Sequence, residues 1–88
     1  MTTGSITLRN RSCHTPAVPL MWQTRPGGDG VRPFVGTVLA SLPHNERHPW
    51  VVWAMASDDN DLWDCFGGDY HTEYEAAQKA FADRRVLN

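Results

Sequence analysis

Two cysteines and four histidines carry most of the reactive chemistry in this 88-residue chain: Cys13, His14, His44, His48, Cys65 and His71. His44 and His48 stand four apart in PHNERHP. On a helix that spacing puts both imidazoles on one face, as a zinc site requires. The residue after His44 is Asn45, so the metalloprotease pattern HExxH is absent. Pro43 and Pro49 leave room for barely one helical turn. There is no CxxC pair, and Cys13, His14, Cys65 and His71 could complete a site only through tertiary contacts. The two loop histidines therefore read as solvated. The acidic turn that starts at Asp58 is not an EF-hand, because Leu62 fills the fifth position and Trp63 stands where the invariant glycine belongs. A nucleophile–base pair would have to come from Cys65 with His71, or from Cys13 with His14. Adjacent strand residues point to opposite faces, and Cys65 lies mid-strand, where a thiol acts as a small buried hydrophobe. Asp64 and Asp69 could be paired carboxylates, yet a domain this small rarely encloses the roughly 300–1,000 Å³ of a ligand pocket. The glycine-rich RPGGDG, Arg25–Gly30, lacks the Lys–Ser/Thr of a phosphate loop. The expectation is a protein with no catalytic residues, no metal and no cofactor.

Charge and aromatic content are the remaining signals. The net charge is −2, but it is unevenly spread. Residues 1–42 hold four arginines against one aspartate, a balance of +3, and residues 43–88 hold four basic against nine acidic residues, a balance of −5. Seven acids and no Lys or Arg lie between Asp58 and Glu75. That surface disfavours nucleic acid, whose phosphates are bound by Lys and Arg, and favours a basic partner. Four tryptophans in a chain this short exceed what its core easily encloses, and tryptophan is a frequent interface anchor. Trp22, on a proline-rich edge, and Trp50, at a strand start, are the candidates for partial exposure. The expected partner-binding residues are Asp58, Asp59, Asp61 and Glu73, with Trp50 or Trp63 as anchor. Dimerisation is a second way to bury the surplus aromatic surface.

The elements that must position these residues follow from periodicity and turn signals. Residues 1–4 read as a loose tail. Ser5–Arg9 alternates apolar and polar residues and reads as a short strand. Pro16 and Pro19 restrict Ala17–Gln23 (AVPLMWQ) to an edge. RPGGDG reads as the turn into an antiparallel strand from about Val31 to Leu42. In that strand Phe34, Gly36, Val38, Ala40 and Leu42 share one face and Val35, Thr37 and Leu39 the other. Both faces are apolar enough for a central strand. Pro49–Ser57 (PWVVWAMAS) is the strongest strand pattern. Asp58–Asp61 turns it into Leu62–Phe66, ended by Gly67–Gly68, and Trp53 and Trp63 are placed to pair across this hairpin. Thr72 with Glu75 matches a capping box, and Glu73 and Glu75 suit the positive end of a helix. Tyr74, Ala77, Ala80 and Phe81 form a helical stripe, so Glu73–Arg84 is expected as a helix within the C-terminal segment 72–85. The fold class is α+β: a two-layer domain with a three- to four-stranded antiparallel meander and one C-terminal helix on one face.

Length permits one domain, residues 1–88. Hydrophobic residues at 41% and charged residues at 20% are those of a globular protein, which excludes collagen-like, coiled-coil and disordered classes. No run approaches the ~18 apolar residues of a membrane span. Met1–Ser5 lacks a secretory n-region, so the expected compartment is the cytoplasm, with both cysteines as thiols.

The stretch WVVWAMASDDNDLWDCFGGDYHTEYEAAQKAFADR, a tryptophan-rich hairpin, an acidic turn and a capped Ala-rich helix, resembles small accessory proteins encoded by actinobacterial phages. The resemblance is one of pattern and covers roughly residues 34–85. Seven arginines to one lysine, a bias of GC-rich codons, agree with it. It implies a non-enzymatic module that binds and redirects a host protein in the host cytoplasm. The outline also resembles the three-stranded sheet and helix of arm-type DNA-binding domains of tyrosine recombinases, with Trp53 and Thr72–Ala76 in the matching places. Those domains present basic strands, whereas Asp58, Asp59, Asp61 and Asp64 occupy this hairpin. The alternative reading is a nucleic-acid-associated protein using Arg9, Arg11, Arg25 and Arg32, or an acidic nucleic-acid mimic that blocks a DNA-binding protein.

Overall fold

The computed structural model describes residues 7–9, 17–26, 33–59 and 61–86. Five strands and one helix follow in chain order: β1 (Thr7–Arg9), β2 (Val18–Pro26), β3 (Phe34–Ser41), β4 (Trp50–Ser57), β5 (Leu62–His71) and α1 (Tyr74–Val86). They form a small α+β fold, a curled mixed sheet in the order β1-β5-β4-β3-β2 with the helix on one face.

The expected meander holds for β2 to β5, which pair antiparallel in sequence order. It fails for the N-terminal strand. β1 lies beside β5 and runs parallel to it, with Leu8 level with Trp63, so the sheet has five strands and is mixed rather than three- or four-stranded and antiparallel. Leu8 packs on the core to which Trp63 belongs, and that apolar contact accounts for the placement. The RPGGDG turn falls mostly outside the described residues, but the strands it separates are paired as expected, Pro26 with Phe34.

Gly67–Gly68 does not end the last strand. β5 runs on to His71 through a bulge: Val52 pairs with Asp69 and Ala54 with Phe66, so Trp53 faces two residues, Gly67 and Gly68. Gly67 has φ +63°, a left-handed conformation that glycine adopts without a Cβ penalty. A Cβ on Gly68 would stand 2.7 Å from Trp53 Nε1, so the indole lies directly over this residue. The Tyr70 ring closes on Trp53 edge-on, with centroids 6.4 Å apart. Trp53 therefore packs on Gly68 and Tyr70 and does not pair with Trp63. Arg84 completes the bulge from the helix. Its guanidinium donates to Val52 O at 3.0 Å and to Gly67 O at 2.6 Å, two carbonyls beside the disrupted ladder.

The sheet has a core on each face. Leu39 and Val52 meet Ala77 and Phe81 of the helix, with Met21, Trp50, Tyr74 and Ala80 around them. The expected stripe of Tyr74, Ala77, Ala80 and Phe81 is the packing face. On the other side Val38, Ala40, Leu42, Val51, Trp53, Met55, Trp63 and Cys65 form a larger cluster, flanked by Leu8, Ala17 and Phe34. Among the described residues no helix covers this side, yet its members are buried within the curled sheet. The helix begins one residue later than expected. The carbonyl of Glu73, not Thr72, accepts the first helical bond, from Ala77 N at 3.2 Å.

Candidate functional site

The acidic β4–β5 turn is built by two of its own side chains. Asp59 Oδ1 accepts from Asp61 N at 2.9 Å and from Leu62 N at 3.1 Å. Ser57 Oγ lies 3.0 Å from the same oxygen and 2.8 Å from Leu62 O, and it accepts Asp59 N–H at 3.3 Å. The turn is thus locked by a short-range network typical of Asp and Ser. These bonds, the Asp61 amide first, then Leu62 and Ser57, hold the Asp59 carboxyl below its ordinary value. Asp59 is the keystone of the turn. Asp58 and Asp61 are exposed on it, and Asp61 O receives Thr7 N at 3.1 Å, which ties β1 to the turn.

The other expected residues do not join this group. Trp50 starts β4 and Glu73 precedes α1, at the far end of the sheet. The ten residues of β5 separate Glu73 from Asp61 by about 30 Å at the usual strand rise. At that end Trp50 is half-buried against Tyr74, ring centroids 4.9 Å apart. His71, paired with Trp50, sits 3.5 Å from Asp69 Oδ2 through an Nε2 that is buried without a hydrogen bond. Trp63 is fully buried in the core of the curled face and offers no surface to a partner; its Nε1 has no acceptor among the described residues. The anchor role expected for Trp63 is withdrawn on that ground, and Trp50 keeps its partial exposure.

His44 and His48 are exposed on a closed loop rather than a helix. Leu42 N reaches Pro49 O at 2.7 Å, and Asn45 Oδ1 accepts from Arg47 N and His48 N at 3.2 and 2.9 Å. Among the described residues no group of three or more His, Cys, Asp or Glu is close enough to hold a metal, and no helix is long and apolar enough to cross a membrane. Cys65 is buried, with its Sγ 4.0 Å from Trp63 O; Cys13 and His14 lie outside the described residues.

Exposed apolar side chains mark two places that sequence reasoning saw only in part. Val18, Leu20 and Trp22 on β2 are 47%, 41% and 37% exposed, and Phe66 and Tyr70 on β5 are 56% and 41% exposed. Trp22 was legible from its proline-rich strand. Phe66 and Tyr70 were not, because the Gly–Gly pair between them reads as a strand end. Comparison with protein-family models, with curated proteins and with solved structures gives no match. The functional reading rests on the chain's own residues.

Proposed function

We propose that the chain is a non-enzymatic protein-interaction module that presents its β4–β5 hairpin to a basic surface on a partner. On the phage-type resemblance, that partner is a host protein and the module modulates it in the host cytoplasm. The observation that carries the reading is the locked acidic turn. Asp59 and Ser57 fix its backbone, so Asp58 and Asp61 are displayed on a preset frame, and no Lys or Arg occurs from residue 58 to 75. A turn backbone held by these bonds loses less conformational freedom on binding than an unbonded loop would. Trp50 and Glu73, about 30 Å away by strand length, serve a separate contact or none.

The target is found by capture on tagged protein from an actinobacterial lysate, with and without nuclease, and then purified. The double reversal Asp58→Lys/Asp61→Lys, which spares Asp59, is expected to weaken binding to it at least tenfold, with a wild-type affinity that falls as salt rises. Unchanged affinity in the reversed variant refutes the hairpin as the contact. Capture that vanishes with nuclease moves the reading to nucleic acid and to the arginines of the N-terminal half.

A further inference from the structure

The two edges of the sheet are built differently. On one side β1 has only three residues, β5 bulges at Gly67, Arg84 occupies the Gly67 carbonyl, and Asp69 adds charge. These features discourage an added strand. On the other side β2 is nine residues long and held to β3 at eight paired positions. Gly36 brings the two strands so close that a Cβ there would lie 2.5 Å from Gln23 O. Among the described residues no strand pairs with the outer edge of β2. Pro19, beside a register shift, and Pro26 blunt its ends. Between them Leu20–Arg25 contains no proline and a single charge, Arg25.

Of the five exposed large hydrophobic residues among the described ones, three lie on this strand. Trp22 pairs with Val38 and so belongs to the curled face, whereas Val18 pairs with Ser41 and belongs to the helix face. A ligand lying on one face would miss one of them. A strand laid along the edge meets side chains on both. We propose that this strand is β2 of a second copy, paired antiparallel about a two-fold axis at Trp22. In that register Trp22 faces its counterpart, Leu20 faces Thr24, and Arg25 faces Pro19, so no like charges oppose one another. The contact is isologous and closes after two copies. Nine residues a side is fewer than the roughly 20–30 of a permanent interface, so the dimer is reversible. The inference is independent of the hairpin reading.

Sedimentation equilibrium of the full chain tests it from micromolar to millimolar concentration. The average mass is expected to rise above 9.9 kDa toward twice that value. Trp22→Arg sets two guanidinium groups opposite each other and is expected to hold the mass at the monomer value while the circular dichroism spectrum stays native. Leu20→Lys, also at an exposed position, is expected to weaken the dimer in the same way. A wild type that is monomeric at every concentration overturns the proposal. So does a dimer that survives both β2 variants, or one that Asp58→Lys/Asp61→Lys abolishes.

Discussion

Asp59 shows how one carboxylate can be acidic, exposed and still structural. Its oxygen accepts two backbone amides and sits against Ser57 Oγ, and these bonds favour the charged form. A depressed folded-state value adds stability that is full above the ordinary value of 3.8 and is lost as pH falls through the lowered one. Asp59→Asn keeps an acceptor without the charge. The melting-temperature gap between wild type and Asp59→Asn is therefore expected to be constant above pH 3.8 and to shrink below it. A gap independent of pH would show that the charge contributes nothing. Trp63 makes a second case. Its buried Nε1 lacks an acceptor, and an orphaned donor costs roughly 1–3 kcal/mol. Trp63→Phe removes that donor along with some volume. Trp53→Phe also uncovers Gly68 and loosens the contact with Tyr70. Urea denaturation is expected to find Trp63→Phe the milder of the two, and the reverse order would refute the orphan as a source of strain.

At the scale of elements, Arg84 is the link between helix and sheet that sequence alone hides. A cation in the last turns of a helix complements the dipole, and the sequence pattern says no more than that. The structure adds a fork onto two carbonyls of a bulge. Arg84→Ala is expected to cost about 2 kcal/mol, in the range of hydrogen bonds to a charged donor, or about 10 °C in melting temperature for a domain of this size. Arg84→Lys, with one ammonium in place of the planar fork, is expected to recover less than half. Full recovery would mean that charge rather than geometry holds the bulge. The elements legible beforehand were those with strong periodicity: β3, β4 and the stripe of α1. Capping residues were legible only to within one position, since Thr72 and Glu73 both suit a helix start. β5 was cut short because Gly67–Gly68 is locally a turn signal, and only the Trp53 ring packed above Gly68 shows why glycine is needed there.

At the scale of the whole molecule, that shortened strand explains why Glu73 was grouped with the acidic turn. With the strand stopped at Phe66, nothing in the sequence sets Glu73 apart from Asp58–Asp61; the five further residues of β5 carry it to the opposite end. The burial of Trp63 was hidden for a related reason. Alternation assigns a residue to one of two faces, but register decides what covers that face. The parallel partner of β1 was out of reach because a three-residue strand carries no pattern that names a distant neighbour. The turn expected at Asp58–Asp61 does stand between β4 and β5. The acidic turn lies at one end of the sheet, where the spacing of the acids placed it.

Val52 and Trp53 are neighbours in β4, yet they belong to different cores, one under the helix and one within the curl. The same is true of Val38 and Leu39 in β3. These two strands are a party wall: neither room stands without it, and neither can be vacated alone. Loss of the helix side strips the wall that closes the curled side, so the domain is expected to unfold as a single cooperative unit, as small single domains usually do.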